Sequence, residues 1–194
     1  MPALGEVDEE RGEFWVDNPF LIPAAGENLS AYEKNRLYMN MDGESFMDVS
    51  FNSGVDLDAD SRSIICADFN NDGAEDMLVC SVGGGPLRLF INRFPKLGRR
   101  VKLELVGTES NRPAIGARVT LHCGSRKIVR DCFPANGFMG QSPADLLIGI
   151  GDAEQVERLE VRWPTGETQF FEGIPADSRV TITESSPEPV IESL

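Results

Sequence analysis

Histidine appears once in this 194-residue chain, and tyrosine and tryptophan twice each. No apolar run approaches the roughly 18 residues that a membrane-spanning helix requires, which argues against membrane insertion. The lone histidine removes most hydrolytic chemistry. A Ser-His-Asp or Cys-His arrangement would have to recruit His122, and no G-x-S-x-G elbow is present to supply a partner. Within the alternation of Val119, Leu121 and Cys123, moreover, His122 falls on the opposite, polar face and reads as a surface residue. No pair of carboxylates is set off by an apolar surrounding, so a non-enzymatic chain is expected.

Cations are scarce as well. Lysine and arginine total 18 against 32 aspartates and glutamates, a formal charge of -14. Such a chain has no basic field with which to displace counterions from phosphates, so nucleic acid and anionic membrane surfaces are excluded as partners. Cys66, Cys80, Cys123 and Cys132 show no CxxC spacing, which removes a zinc site. A hairpin turning near Gly124 and Ser125 sets Cys123 against residues 126 to 128 and leaves Cys132 roughly 13 Å or more away, so that pair stays reduced. Cys66 and Cys80 flank one loop on neighbouring strands and read as two small buried thiols rather than as a bridge. The run Gly83-Gly84-Gly85-Pro86 lacks the lysine and the following helix of a phosphate-binding loop. The segment MPALGEVDEERGEF is acidic where a signal peptide would be basic and then apolar, so no export signal is visible and a cytoplasmic location stays open as the alternative. Asn28-Leu29-Ser30 is an N-glycosylation sequon, relevant only in a secreted eukaryotic chain.

What is abundant is short β-branched and aliphatic runs separated by turn residues. NRLYMN, a Met41-Asp42-Gly43 turn, SFMDVS, SIICADF, DMLVCS and RLFIN come first. Then KLELVG, ARVTLHC, RKIVRDCF, DLLIGIG, RLEVRWP, TQFFEGI and RVTITE follow at the spacing of a small sandwich or barrel. The expected fold is all-β: one propeller-blade-like antiparallel unit packed on a small β-sandwich or barrel. Four segments are expected: an arm over 1–33, weakly ordered at first; a blade over 34–94; a β domain over 100–184; and a disordered tail over 185–194, rich in Ser, Pro and Glu. The one helical expectation is DAEQVERL, where Asp152 caps and Val156 and Leu159 pack at helical spacing. Arg36-Leu37-Tyr38-Met39-Asn40 recurs as Arg88-Leu89-Phe90-Ile91-Asn92. That period suits a propeller blade, but the chain holds only one complete period, so a free strand edge is left to seek a partner by self-association. Asn136-Gly137 reads as a hairpin turn, with Phe138, Gln141 and Ser142 beyond it as turn scaffolding in preference to a recognition surface.

Between two of these strands runs DFNNDGAED. It places Asp68, Asn70, Asp72 and Asp76 at the spacing D-x-N-x-D-G-x-x-D. Hard oxygens at alternate positions wrap a divalent cation, Gly73 permits the sharp turn, and the Ala74 carbonyl adds a ligand at the seventh position, a set that suits Ca²⁺. An EF-hand is excluded, because its twelfth position needs a bidentate glutamate and here carries Val79, and because the flanks are strands.

Two sets of motifs resemble known families. NRLYMN, SFMDVSFNSGV and ADFNNDGAEDMLV are similar to the FG-GAP/VCBS repeat of integrin-type propellers. SNRPAIGARVTLHCG, NGFMGQSP and LLIGIGDAEQVERLEVRWPTG are similar to the ASPIC/UnbV domain of the cartilage acidic protein family. The first resemblance implies metal ligands at Asp68, Asn70, Asp72 and Asp76, with backbone oxygen from Ala74. Together they imply a calcium-binding module for adhesion or for protein or carbohydrate recognition, at an extracellular or cell-envelope location and as a fragment or short member of a larger repeat family. An accessory or hydrolytic domain of a larger extracellular enzyme is the alternative. This chain departs from the second pattern at Gly140, where a serine is usual, and in LLIGIG.

Overall fold

The computed structural model describes residues 34–41, 43–59, 61–81, 86–94, 98–135, 138 and 140–194. The arm over 1–33 with its sequon, Asp42, the glycine run 83–85 and the Asn136-Gly137 turn lie outside the described residues.

The chain is nearly all β, with several antiparallel sheets and no closed barrel. Five short strands come first: β1 (Tyr38–Met41), β2 (Ser45–Asp48), β3 (Ser61–Ala67), β4 (Asp76–Ser81) and β5 (Arg88–Phe90). Every one lies on a run that the sequence marks as a strand. They are divided between a β1-β2 hairpin and a separate β3-β4-β5 sheet, so the expected blade is not one continuous sheet. A single helical turn, α1 (Ser50–Ser53), follows β2 and stops at Gly54, whose φ of 72° is the left-handed geometry of a helix end.

Eight further strands follow: β6 (Arg99–Val106), β7 (Arg118–Cys123), β8 (Arg126–Asp131), β9 (Leu146–Gly151), β10 (Gln155–Arg162), β11 (Thr168–Pro175), β12 (Ser178–Thr183) and β13 (Val190–Ser193). They form two four-stranded sheets, ordered β11-β10-β7-β8 and β13-β12-β6-β9. All neighbours are antiparallel except β6 and β12, which run parallel with Val101 beside Ser178 and Val106 beside Thr183. Strict alternation sends Val101, Leu103 and Leu105 of β6, Val119 and Leu121 of β7 and Val180 and Ile182 of β12 into one core. Leu159 and Val161 of β10 join them, closed by Trp163. Both sheets feed this core, so the region is a sandwich.

Two contact units emerge: Met1–Ile64 with Val79–Arg88, and Ile65–Leu78 with Leu89–Leu194. The expected boundary after residue 94 is not where they part, since the acidic loop over 68–76 groups with the sandwich.

Two sequence expectations are corrected. The stretch DAEQVERL is not helical; Gln155–Arg162 is β10. Val156 and Leu159 are both buried at a spacing of three, which mimics a helix. The partner strand matches that spacing with buried Ile174 and Phe171, and Gly173 lies between them at a φ of 67°. The three-residue gap is thus matched across two paired strands and is not helical. The tail is also corrected: Val190–Ser193 pairs antiparallel with β12, Val180 opposite Ile191.

One carboxylate organises an end of the sandwich. Glu184, just past β12 and 4% exposed, accepts from the amides of Thr108 (2.8 Å), Glu109 (2.9 Å) and Ser110 (2.7 Å), and from the Ser110 and Thr165 hydroxyls at 2.7 and 3.2 Å. Burial opposes its charge, but the Ser110, Thr108 and Glu109 donors outweigh burial and hold its pKa down at about 2. Nearby, the Trp163 indole donates to Gln169 Oε1 at 2.6 Å, and Gln169 Nε2 donates to the Ser186 carbonyl at 2.7 Å.

Candidate metal centre

The loop over 68–76 joins β3 to β4, and its backbone takes the bends the sequence requires: Asn71 has φ 57° and Gly73 φ 79°. Asparagine and glycine are the residues that enter this left-handed region at least cost. Asp68 sits at the loop entrance, with Oδ1 accepting from the Asp72 amide at 3.1 Å and Oδ2 from the Gly73 amide at 2.9 Å. Asn70 Oδ1 accepts from that same Asp72 amide at 3.1 Å, and Asn70 Nδ2 donates to Asp72 Oδ2 at 2.8 Å. Asp72 Oδ1 in turn accepts from the Ala74 amide at 2.9 Å. Asp68, Asn70 and Asp72, at alternate positions, are thereby drawn to one place.

Asp76 behaves differently. Its carboxylate has no exposure; Oδ2 accepts from the Phe69 amide at 3.0 Å and Oδ1 from the Asn92 amide at 2.8 Å. It fastens the start of the loop and the residues after β5 to one buried group. Among the described residues no three carboxylate, histidine or cysteine side chains are gathered closely enough to hold a metal ion. Of the expected set, Asp68, Asn70 and Asp72 come together, Ala74 is buried beside them, and Asp76 is fully buried; both carboxylate oxygens of Asp76, like those of Asp68, accept from backbone amides.

Arg100 is a neighbour that the sequence did not announce. Its guanidinium donates to the Asp72 carbonyl at 2.8 Å and lies flat against Gly73, where a Cβ atom would meet Arg100 Nε. Only glycine leaves room for this approach, so Gly73 serves packing as well as the turn. A recess of about 60 Å³ borders the loop between Asp68, Glu75 and Lys102, where Lys102 Nζ lies 2.8 Å from Asp145 Oδ2. That volume suits a water or two and no organic ligand.

Nucleophiles and bases lie elsewhere. All four cysteines are reduced. Cys123 pairs with Arg126 across the β7-β8 hairpin and Cys132 lies beyond its far end, as the register argument expects. Burial pushes the thiols of Cys66, Cys123 and Cys132 up, which keeps them protonated. Cys80, expected to be buried, is exposed, because it occupies the outward phase of β4 between buried Val79 and Ser81. His122 is half-buried between Arg158 and Lys127 on the neighbouring strands. Ser142 is scaffolding: its hydroxyl accepts from the Cys66 amide at 3.3 Å, while Phe138 is exposed. No helix among the described residues is long and apolar enough to cross a membrane.

No curated protein matches the chain. Residues 107–189 match the family model described as ASPIC and UnbV. The match begins just after β6, so the sandwich takes its first strand from outside the matched stretch. From the loop that Glu184 pins to the turn before β13, this chain is similar to the ASPIC and UnbV family.

Proposed function

We propose that the chain is a non-enzymatic recognition module, built on the ASPIC/UnbV-like sandwich, whose loop over 68–76 takes Ca²⁺. The observation carrying the metal is the gathering of Asp68, Asn70 and Asp72. Both Asp68 Oδ1 and Asn70 Oδ1 sit 3.1 Å from one amide, and Asp72 Oδ2 lies 2.8 Å from the Asn70 amide group. These three side chains, with the Ala74 carbonyl, would hold the ion, and Asp76 supports them from its buried position. The ion's contribution is charge neutralisation: without it Asp68 and Asp72 repel, so calcium stiffens the loop rather than performing a reaction. The recognition role is what the family resemblance implies, at an extracellular or cell-envelope location.

Extracellular modules bind Ca²⁺ with dissociation constants of about 10⁻⁴ to 10⁻³ M, so calcium at ten times the constant stabilises the fold by about 1.4 kcal/mol. The test is a thermal melt of wild type and Asp72→Ala, each in millimolar Ca²⁺ and in chelator. Wild type is expected to melt a few degrees higher with calcium and the variant to ignore it. An unchanged wild-type melt with no heat on calorimetric titration overturns the calcium assignment.

A further inference from the structure

The outward face of the β11-β10-β7-β8 sheet is a charged platform on an otherwise acidic chain. Register places Lys127, His122, Arg158 and Glu172 in one row across the four strands. A second row, four residues along each strand, holds Asp131, Arg118, Arg162 and Thr168. At about 3.4 Å per residue the two rows stand about 13 Å apart, with neighbouring strands about 4.8 Å from one another. Between them lie Glu160 and, paired with it, Phe170, which is 52% exposed.

Three features of this face call for an anion. His122 lies between Lys127 and Arg158, and Arg118 lies directly opposite Arg162, an adjacency of like charge that repels across strands. Compensation inside the face is partial: Asp131 takes both prongs of Arg118, at 2.6 and 3.0 Å, Arg162 draws on the same carboxylate through space, and Glu172 stands opposite Arg158. The Arg158 guanidinium is already ordered, stacked over the Phe170 ring at 4.5 Å, so a ligand that pairs with it spends less entropy. Four Lys and Arg side chains against two acidic ones in these rows, with Glu160 between them, contrast with a chain carrying -14 overall.

We propose that this face binds a carboxylate-bearing polysaccharide: the Arg158 and Arg162 guanidinium groups pair with uronate carboxylates, Phe170 lies against a sugar ring, and Glu160 accepts from hydroxyls. An acidic peptide is the less suited partner. Extended peptides are held through their backbone at a strand edge, whereas this surface offers only side chains on a sheet face. The proposal rests on the recognition reading above and makes no use of the loop over 68–76.

The test is affinity electrophoresis of the full chain at 0.15 M salt with chelator present, in gels containing polygalacturonate, its methyl ester or poly-L-glutamate. Retardation is expected with polygalacturonate, none with the ester, and at least tenfold weaker binding to poly-L-glutamate. Arg158→Glu combined with Arg162→Glu should lower the apparent affinity at least tenfold. Lys127→Glu, on an edge strand where folding is little at risk, should lower it about threefold with an unchanged melting temperature. Absence of retardation, equal binding of poly-L-glutamate, or wild-type binding by both variants overturns the proposal. Because calcium is chelated throughout, that failure is separate from failure of the calcium melt.

Discussion

The β1-β2 hairpin and the sandwich are both written in short alternating strands, yet none of the hairpin's described residues is buried, while seven of the eight sandwich strands feed one core. Tyr38, Phe46 and Met47 are as apolar as the core residues but remain open to solvent. Alternation tells a chain which side to bury; a facing layer is still needed to bury it. The hairpin is held instead by a polar hub at Ser50. The Ser50 hydroxyl accepts from the Leu37 amide at 2.7 Å and donates to Asp48 at 2.5 Å, and this contact lowers the Asp48 pKa. A two-stranded hairpin is marginal in water, so most of the chain's stability is assigned to the sandwich.

Substitutions can break that contrast. Leu159→Ala, at a fully buried position, should cost about 3–5 kcal/mol in urea denaturation, the transfer term plus the cavity. Glu184→Ala should follow at about 2–3 kcal/mol, because it strands three amides and two hydroxyls that the carboxylate now serves. Its pH signature is distinctive. With a folded pKa of about 2, below the ordinary glutamate value of 4.5, the group stabilises fully above the unfolded pKa and loses that contribution as pH falls from about 4.5 towards 2. Wild type should weaken over that window more steeply than Glu184→Ala, and parallel curves would show that the network carries no stability. Gly73→Ala should cost about 1–2 kcal/mol, since it forces a side chain to φ 79° and displaces Arg100. Phe46→Ala in the hairpin should stay within about 0.5 kcal/mol. A loss near that of Leu159→Ala would mean that the hairpin is covered in solution, and the contrast drawn here would fall.

Strand positions were legible because period-two alternation holds along strands such as β6, β7 and β12, and turn residues mark the breaks. Three features were not. Val156 and Leu159 sit three apart, and only the matching gap at Phe171 and Ile174 on another strand reveals that this is β structure. Val190–Ser193 lies in a Ser, Pro and Glu context with no buried face, so its strand character comes wholly from backbone pairing with β12. Spacing marks Asp76 as a ligand but says nothing of its burial or of the Phe69 and Asn92 amides it accepts from, one of them sixteen residues away. Local pattern reports faces; partners brought from afar leave no mark in it.

The parallel pairing of β6 with β12 has a kinetic consequence. The first strand of the sandwich has for neighbours β9, some 45 residues downstream, and β12, more than 70 residues downstream. Both bonds must close long loops before they are rewarded, which places this topology among slow folders. During synthesis the β7-β8 hairpin and the β10-β11 pair can form as they emerge, but β6 waits for β9 on one edge and, on the other, until the chain past Thr183 is free. The interval between the emergence of β6 and that of β12 is the window in which this protein is most exposed to aggregation, and a truncation before β12 would hold it there permanently.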